Sequence, residues 1–161
     1  MSDKFRDRLL SQLLARTSHQ LSKEFLLAVA RQGFTARQWR LLGTLWDEKS
    51  LTLTELADAI LCSQSTTTKL VERLVELGLI DKQGDVADRR RFHVFITENG
   101  RRAIQPLIEL ALKLEAQTTR LLGVRRVSAL KTELRSIIET AQRFTSSPPA
   151  ASPARAKDVV E

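Results

Sequence analysis

The chain has 161 residues, 42% of them hydrophobic, enough for one core-bearing domain and too few for two comfortable ones. Its 26 basic residues exceed its 19 acidic ones for a net charge of +7, and because Arg155 and Lys157 cancel Asp158 and Glu161, the whole excess sits on residues 1–145, a basic body that favours a polyanion as partner. A single cysteine excludes an intramolecular disulfide framework, no apolar run approaches the ~20 residues that span a bilayer, and the charged start Met-Ser-Asp-Lys-Phe-Arg-Asp-Arg does not fit a signal peptide, so a cytoplasmic protein is expected.

Phe5, Leu9 and Leu13, with Leu10, Leu14, Thr17, Leu21, Phe25 and Ala28, follow helical spacing up to Gly33 and predict one long helix. Its apolar face is widened by the pairs Leu9/Leu10, Leu13/Leu14 and Leu26/Leu27, beyond what one neighbour in so small a chain could cover. Burial against a second subunit is the expected remedy; the alternative is a helix packed wholly inside its own monomer. Thr35-Ala36-Arg37-Gln38 has capping-box spacing, and Trp39, Leu41, Leu42, Leu45 and Trp46 make the next helix strongly apolar. Arg37 and Arg40 fall in its first turn, where a cation opposes the helix dipole; they are either phosphate contacts or ordinary solvated arginines.

Thr52-Leu53-Thr54-Glu55 repeats the capping-box spacing and should start a short helix that buries Leu53, Leu56, Ala57 and Ile60, with Ala57 small enough to let another helix cross closely. Ser63 is the next N-cap. Thr67, Leu70, Val71, Leu74 and Leu77 then supply a buried face up to Gly78, while Gln64, Ser65, Thr68, Lys69 and Glu72 form a polar, nearly neutral one. Short hydroxyl and amide side chains at a helix N-terminus suit base edges in a major groove. Leu79–Lys82 and Arg91–Ile96 have strand character around Gln83–Arg90, which predicts a two-stranded hairpin whose loop runs into the arginines 89–91. Guanidinium groups on an exposed loop suit phosphates and a narrow minor groove.

Thr97 should cap a third long helix through Ile104, Leu107, Ile108, Ala111, Leu112 and Leu114 to Leu121-Leu122 and Gly123, bent near Ala103–Pro106 by its internal proline. A last helix, from Val124 or Val127 to Phe144, carries Val127, Leu130, Leu134, Ile137, Ile138 and Ala141 at helical spacing. Residues 146–161, rich in Pro, Ala and Ser, read as a disordered tail. His19, His93 and Cys62 share no metal-ligand spacing, and neither a Gly-rich phosphate loop nor a nucleophile elbow is present, so no enzyme, metal or cofactor is expected. Cys62 is either a redox sensor at the turn between two helices or a small apolar plug there.

Glu55-Leu56-Ala57, Leu74-Val75-Glu76-Leu77-Gly78-Leu79-Ile80, and the wing sequence Asp88-Arg89-Arg90 followed by Val94, Ile96, Thr97 and Gly100 resemble the MarR family of transcriptional regulators. The resemblance extends more weakly over about residues 5–144. Leu61 departs from it where a glycine is frequent, and Thr67 where a valine usually packs. It implies a mainly α fold with a small β-hairpin wing: a dimerisation helix over 1–33, a winged helix-turn-helix over 34–100, and further dimerisation helices over 101–145.

The function it implies is that of a homodimeric, double-stranded-DNA-binding repressor on a palindromic operator. The DNA-contacting set would be Arg37, Arg40, Ser63, Gln64, Ser65, Thr66, Thr68, Lys69, Arg73, Arg89, Arg90 and Arg91. The family also binds small aromatic or phenolic, often anionic, effectors, for which Arg16, His19, Phe34, Trp39 and Trp46 are the candidates here; both tryptophans could equally be plain core and Arg16 solvated. Peroxide-sensing members keep their cysteine in the first helix near tyrosines, and this chain has neither. The competing readings are a winged helix used as a protein-interaction module, which would more often expose an apolar patch at the recognition surface, and a small hydrolase or other enzyme.

Overall fold

Hydroxyl side chains set four of the helix starts among the described residues. In the computed structural model, which describes residues 5–84 and 92–146, Thr35 and Thr52 both form complete capping boxes. Gln38 N donates to Thr35 Oγ1 at 3.2 Å and Thr35 N to Gln38 Oε1 at 2.8 Å. Glu55 N donates to Thr52 Oγ1 at 3.3 Å and Thr52 N to Glu55 Oε2 at 2.7 Å. Ser63 Oγ accepts from Thr66 N at 3.3 Å, and Thr97 Oγ1 from Gly100 N at 3.0 Å. Each satisfies a donor that the helix itself cannot.

The elements are α1 (Phe5–Arg8), α2 (Leu10–Arg31), α3 (Ala36–Asp47), β1 (Leu51–Thr52), α4 (Leu53–Ala59), α5 (Gln64–Glu76), β2 (Ile80–Gly84), β3 (Phe92–Ile96), α6 (Glu98–Leu122) and α7 (Val124–Ser146). Two differences from the sequence reading concern element boundaries. The first helix is interrupted at Leu9, whose backbone is extended (φ −93°, ψ 116°) and caps α2 without a side-chain hydrogen bond. Hydrophobic spacing could not register this, because Leu9 and Leu10 can each serve the same face. The expected antiparallel pairing of β2 with β3 is present, and a third strand joins it. β1 pairs with the free edge of β3, Leu51 opposite Val94, giving an antiparallel sheet ordered β1-β3-β2 with Ile80 opposite Ile96.

The chain divides into two compact units after Leu114. In the first, Leu41, Leu42 and Leu45 of α3, Leu56 and Ile60 of α4, Val71 and Leu74 of α5, Ile80, Val94 and Ile96 of the sheet, and Ile104 of α6 form one buried core. Ala57 is buried where α4 and α5 pack. Leu77, expected on that face, is exposed, because it is the C-cap of α5 and lies past the last turn that the core covers. A smaller cluster joins Phe25 and Val29 of α2 to Leu107 of α6. Most of the rest of the apolar face of α2 is bare: Leu10, Leu13, Leu21 and Leu27 are all exposed.

α5 ends where Gly78 takes φ +66° and Leu79 N reaches back to Leu74 O at 3.0 Å, a Schellman closure. Thr97 then clamps this end to the start of α6. Its Oγ1 donates to Gly78 O at 2.7 Å and its N to Leu79 O at 3.1 Å. Gly100 is buried against the same carbonyl, and a Cβ there would lie 2.0 Å from Leu79 O. α6 continues through Pro106 without a break in its helical assignment. In the second unit Lys131 and Glu115 form an ion pair, and Leu121, Val124, Leu130 and Ile138 are exposed. The tail at 147–161 and the loop at 85–91 lie outside the described residues. Among the described residues no helix is long and apolar enough to cross a membrane.

Candidate nucleic-acid interface

α4, the turn at Leu61–Cys62 and α5 form a helix-turn-helix, and local chemistry sets its geometry. Cys62 N donates to Ala57 O at 3.0 Å, and the Cys62 side chain packs, half-buried, against the main core. That is the position of a plug. Leu61 takes φ +55° and is 85% exposed. A left-handed backbone costs a branched residue roughly 1–2 kcal/mol, and here no burial offsets it. Thr67 fills a fully buried position, and its hydroxyl donates to Ser63 O at 3.0 Å, so the polar atom in the core is satisfied.

The outward face of α5 presents Gln64, Ser65, Lys69, Glu72 and Arg73, all exposed, with Thr66 and Thr68 half-buried between the helix and its neighbours. Several of these groups are already committed. Ser63 Oγ is the cap and also hydrogen-bonds Thr66 Oγ1 at 2.9 Å. Thr68 Oγ1 donates to Gln64 O at 2.9 Å, leaving its oxygen lone pairs and methyl for a partner. Arg73 pairs with Glu76 at 3.0 Å, both side chains more than 60% exposed; such pairs are worth ~0.2–1 kcal/mol and yield readily to a phosphate. Ser65 Oγ lies at hydrogen-bond distance from Ser63 Oγ, 3.1 Å, and Gln64 Nε2 donates to Thr54 Oγ1 at 3.2 Å, so Gln64 keeps one N–H and its carbonyl oxygen for a partner, and the Lys69 ammonium stands exposed further along the helix.

Beside α5 the sheet closes a groove of about 460 Å³ bordered by Thr54, Gln64, Thr68, Glu72, Lys82 and Phe92. Lys82 Nζ sits 5.7 Å from the Phe92 ring centroid, so a cation is held on the wing strands by the face of an aromatic ring. Thr54 and Lys82 are not singled out by the sequence: along Leu79-Ile80-Asp81-Lys82 strict alternation would put Lys82 on the face of the buried Ile80, so no periodic signal marks it as exposed. Arg37 and Arg40 are exposed on α3. Arg89, Arg90 and Arg91 lie outside the described residues.

The five candidates for an effector site fall in separate places. Arg16 and His19 border a groove along α2 with Leu13 and Leu21. Trp39 and Trp46 line a cleft of about 410 Å³ with Arg40, Gly43, Ile108 and Leu112. Phe34 packs against both core clusters. The tryptophans also have structural work: Trp39 meets Phe25 edge-on at 4.9 Å, and Trp46 lies under Arg101 at 5.3 Å while Arg101 Nη1 donates to the Trp46 carbonyl at 3.0 Å.

The model of the MarR family matches residues 34–92, from the turn before α3 to the first residue of β3. The HTH-type transcriptional regulator TtmR of Methylorubrum extorquens (strain PA1) is 27% identical over 84 residues, 52% of this chain and 43% of that protein. The chain thus spans less than half the length of this curated relative. Among solved structures, the MarR family transcriptional regulator SPO1453 from Silicibacter pomeroyi DSS-3 superposes with a TM-score of 0.76 at 27% identity, covering 86% of this chain and 99% of that one. Bordetella bronchiseptica BpsR, solved to explain how 6-hydroxynicotinic acid regulates its DNA binding, gives 0.67 at 26% identity over 80% and 97% of the two chains.

Proposed function

Because this chain belongs to the MarR family of winged helix-turn-helix transcriptional regulators, we propose that it acts in the cytoplasm as a homodimeric repressor that binds a palindromic double-stranded operator. The carrying observation is the outward face of α5: an exposed polar row of Gln64, Ser65 and Lys69 over the first turns of a capped helix, flanked by the Lys82-bearing wing strands. Small amide and hydroxyl groups there read base edges, whereas the basic residues of α3 and of the wing loop neutralise phosphates. A wing Arg90 entering the minor groove completes the arrangement.

The exposed leucines of α2 and the exposed Leu130 and Ile138 of α7 support a homodimer, since apolar side chains at helical spacing left in water mark a face that another chain covers. Two recognition helices must then lie about one helical turn of DNA apart, ~34 Å, which requires a two-fold-symmetric site. We also propose a small aromatic, anionic effector. The Trp39–Trp46 cleft offers ring walls and Arg40 a cation, while the groove at Arg16 and His19 is the second candidate. BpsR and its 6-hydroxynicotinic acid are a fold-level precedent for that chemistry.

An electrophoretic shift titration on the protein's own upstream DNA and on random duplex, at two salt concentrations, tests the central claim. Preference for the upstream fragment, with affinity falling steeply as salt rises, is the expected result. Equal binding to both fragments at both salts would leave no sequence-reading function. For the effector, aromatic carboxylates titrated against tryptophan fluorescence and operator release together should show coupled changes that Arg16→Ala or Arg40→Ala removes. Tight binding without release would mean equal affinity for both states of the dimer, and no regulation.

A further inference from the structure

We propose that Thr54 of α4 is a positioning residue for Gln64, and that the pair makes Gln64 a reader of an A·T base pair. The proposal rests on the DNA-binding reading above. Gln64 Nε2 donates to Thr54 Oγ1 at 3.2 Å, across two helices and ten sequence positions. Glutamine has three side-chain torsions and here stands on the rim of an open groove of about 460 Å³, with Glu72, Lys82 and Phe92 also on that rim. Without a partner the amide would sample this space and have to be ordered on binding, so a bond made in the free protein removes part of that entropy beforehand. The other end of the residue is held as well, since Gln64 O accepts from Thr68 Oγ1 at 2.9 Å.

The donor count then fixes the base. The amide has two N–H donors and one carbonyl acceptor; Thr54 occupies one donor and leaves one N–H beside Oε1. A donor next to an acceptor matches adenine in the major groove, whose N7 accepts and whose N6 amino group donates. Guanine offers two acceptors, O6 and N7, and would set one of them against Gln64 Oε1. Thr54 is suited to a local role. It is exposed and is not the cap of its helix, a task that Thr52 performs.

The test uses the full chain, an operator selected from random duplexes, and that operator's single-base-pair variants in competition binding. Gln64→Ala identifies the base pair that Gln64 reads, expected to be A·T. Thr54→Val, which keeps the branched shape and deletes the hydroxyl, should then reduce preference at that pair about three- to tenfold, the size of one orienting hydrogen bond, with affinity for random duplex unchanged. Thr54→Ser should restore the preference, and Thr54→Val should do nothing further in a Gln64→Ala background. If valine perturbs the melting temperature, Thr54→Ala is the alternative deletion.

The proposal is overturned by undiminished preference in both deletions, by an equal loss on random duplex, by a G·C pair at the position read, or by a Thr54 effect that persists unchanged without Gln64. Failure of the DNA-binding reading itself looks different. The unsubstituted chain would select no operator, which is seen before any Thr54 variant is made.

Discussion

Gly43 and Gly100 are both helical glycines, and the same substitution should move them in opposite directions. Replacing a glycine inside a helix by alanine ordinarily gains ~0.5–1 kcal/mol, because the unfolded chain has less freedom to lose. At Gly43, in α3, the added methyl would meet only the Trp39 ring at 3.6 Å, an ordinary contact, so Gly43→Ala should realise that gain. At Gly100 the methyl would lie 2.0 Å from Leu79 O and 2.8 Å from Ile96 Cγ1. Carbon and carbonyl oxygen rest at about 3.3 Å or more, so α6 must retreat by more than an ångström from the end of α5.

Retreat at Gly100 stretches the Thr97 N–Leu79 O bond of 3.1 Å and the Thr97 Oγ1–Gly78 O bond of 2.7 Å. Overpacking costs ~1–3 kcal/mol and each weakened hydrogen bond ~1 kcal/mol. After the helix-propensity gain is subtracted, a net loss of about 2–4 kcal/mol remains. Urea denaturation at one fixed protomer concentration measures both variants, the concentration mattering because a dimer's stability depends on it. A Gly100→Ala protein as stable as the parent, or a Gly43→Ala protein as damaged as Gly100→Ala, would refute the collision as the cause.

Other consequences are open to direct measurement. Leu61→Gly should raise stability by about 0.5–1 kcal/mol in the same denaturation assay, the left-handed strain it removes from an 85% exposed residue less the backbone freedom that glycine adds to the unfolded chain; a loss of stability would mean that Leu61 holds the turn by contacts. Arg101→Ala should cost about 1–2 kcal/mol through its hydrogen bond to Trp46 O and its stacking on that ring, and should shift tryptophan emission, whereas Lys113→Ala should do neither. Arg90→Ala should weaken binding to operator and random duplex alike and reduce the salt slope by about one unit; a loss confined to the operator would assign Arg90 to base reading. Leu21→Glu or Ile138→Glu should shift sedimentation toward a monomer that no longer binds the operator, and a variant that stays dimeric would place the interface elsewhere.

What could be read from sequence was what is encoded within a few residues. The caps at Thr35, Thr52, Ser63 and Thr97 each depend on a partner three positions away, and the core of α3, α4 and α5 on a repeat of three to four, so these were legible. Strand β1 was not, because two residues carry no periodicity and their partner Val94 comes from beyond the recognition helix. The hydrogen bond from Gln64 to Thr54 and the seat of Arg101 on Trp46 are likewise set by how helices cross, which no spacing rule contains. Aromatic content alone also grouped Phe34, Trp39 and Trp46 with Arg16 and His19, whereas the fold puts the tryptophans in one cleft and the two polar residues on another helix.

The brevity of β1 bears on the order in which the winged helix is assembled. α4, α5 and the β2–β3 hairpin form from neighbours in sequence, on the microsecond scale of local elements. Joining Leu51 to Val94 closes the long loop that contains them all, and loop closure costs more as the loop lengthens while two residues return few hydrogen bonds. β1 should therefore dock after the elements it encloses and detach before them. When it detaches it carries away Thr52, the residue that caps α4. The backbone amides of Thr52 and Glu55 should accordingly exchange with solvent deuterium together, and faster than those of Ile60, which donates to Leu56 O at 3.0 Å, or Leu74, through a partial opening in which the enclosed core stays folded.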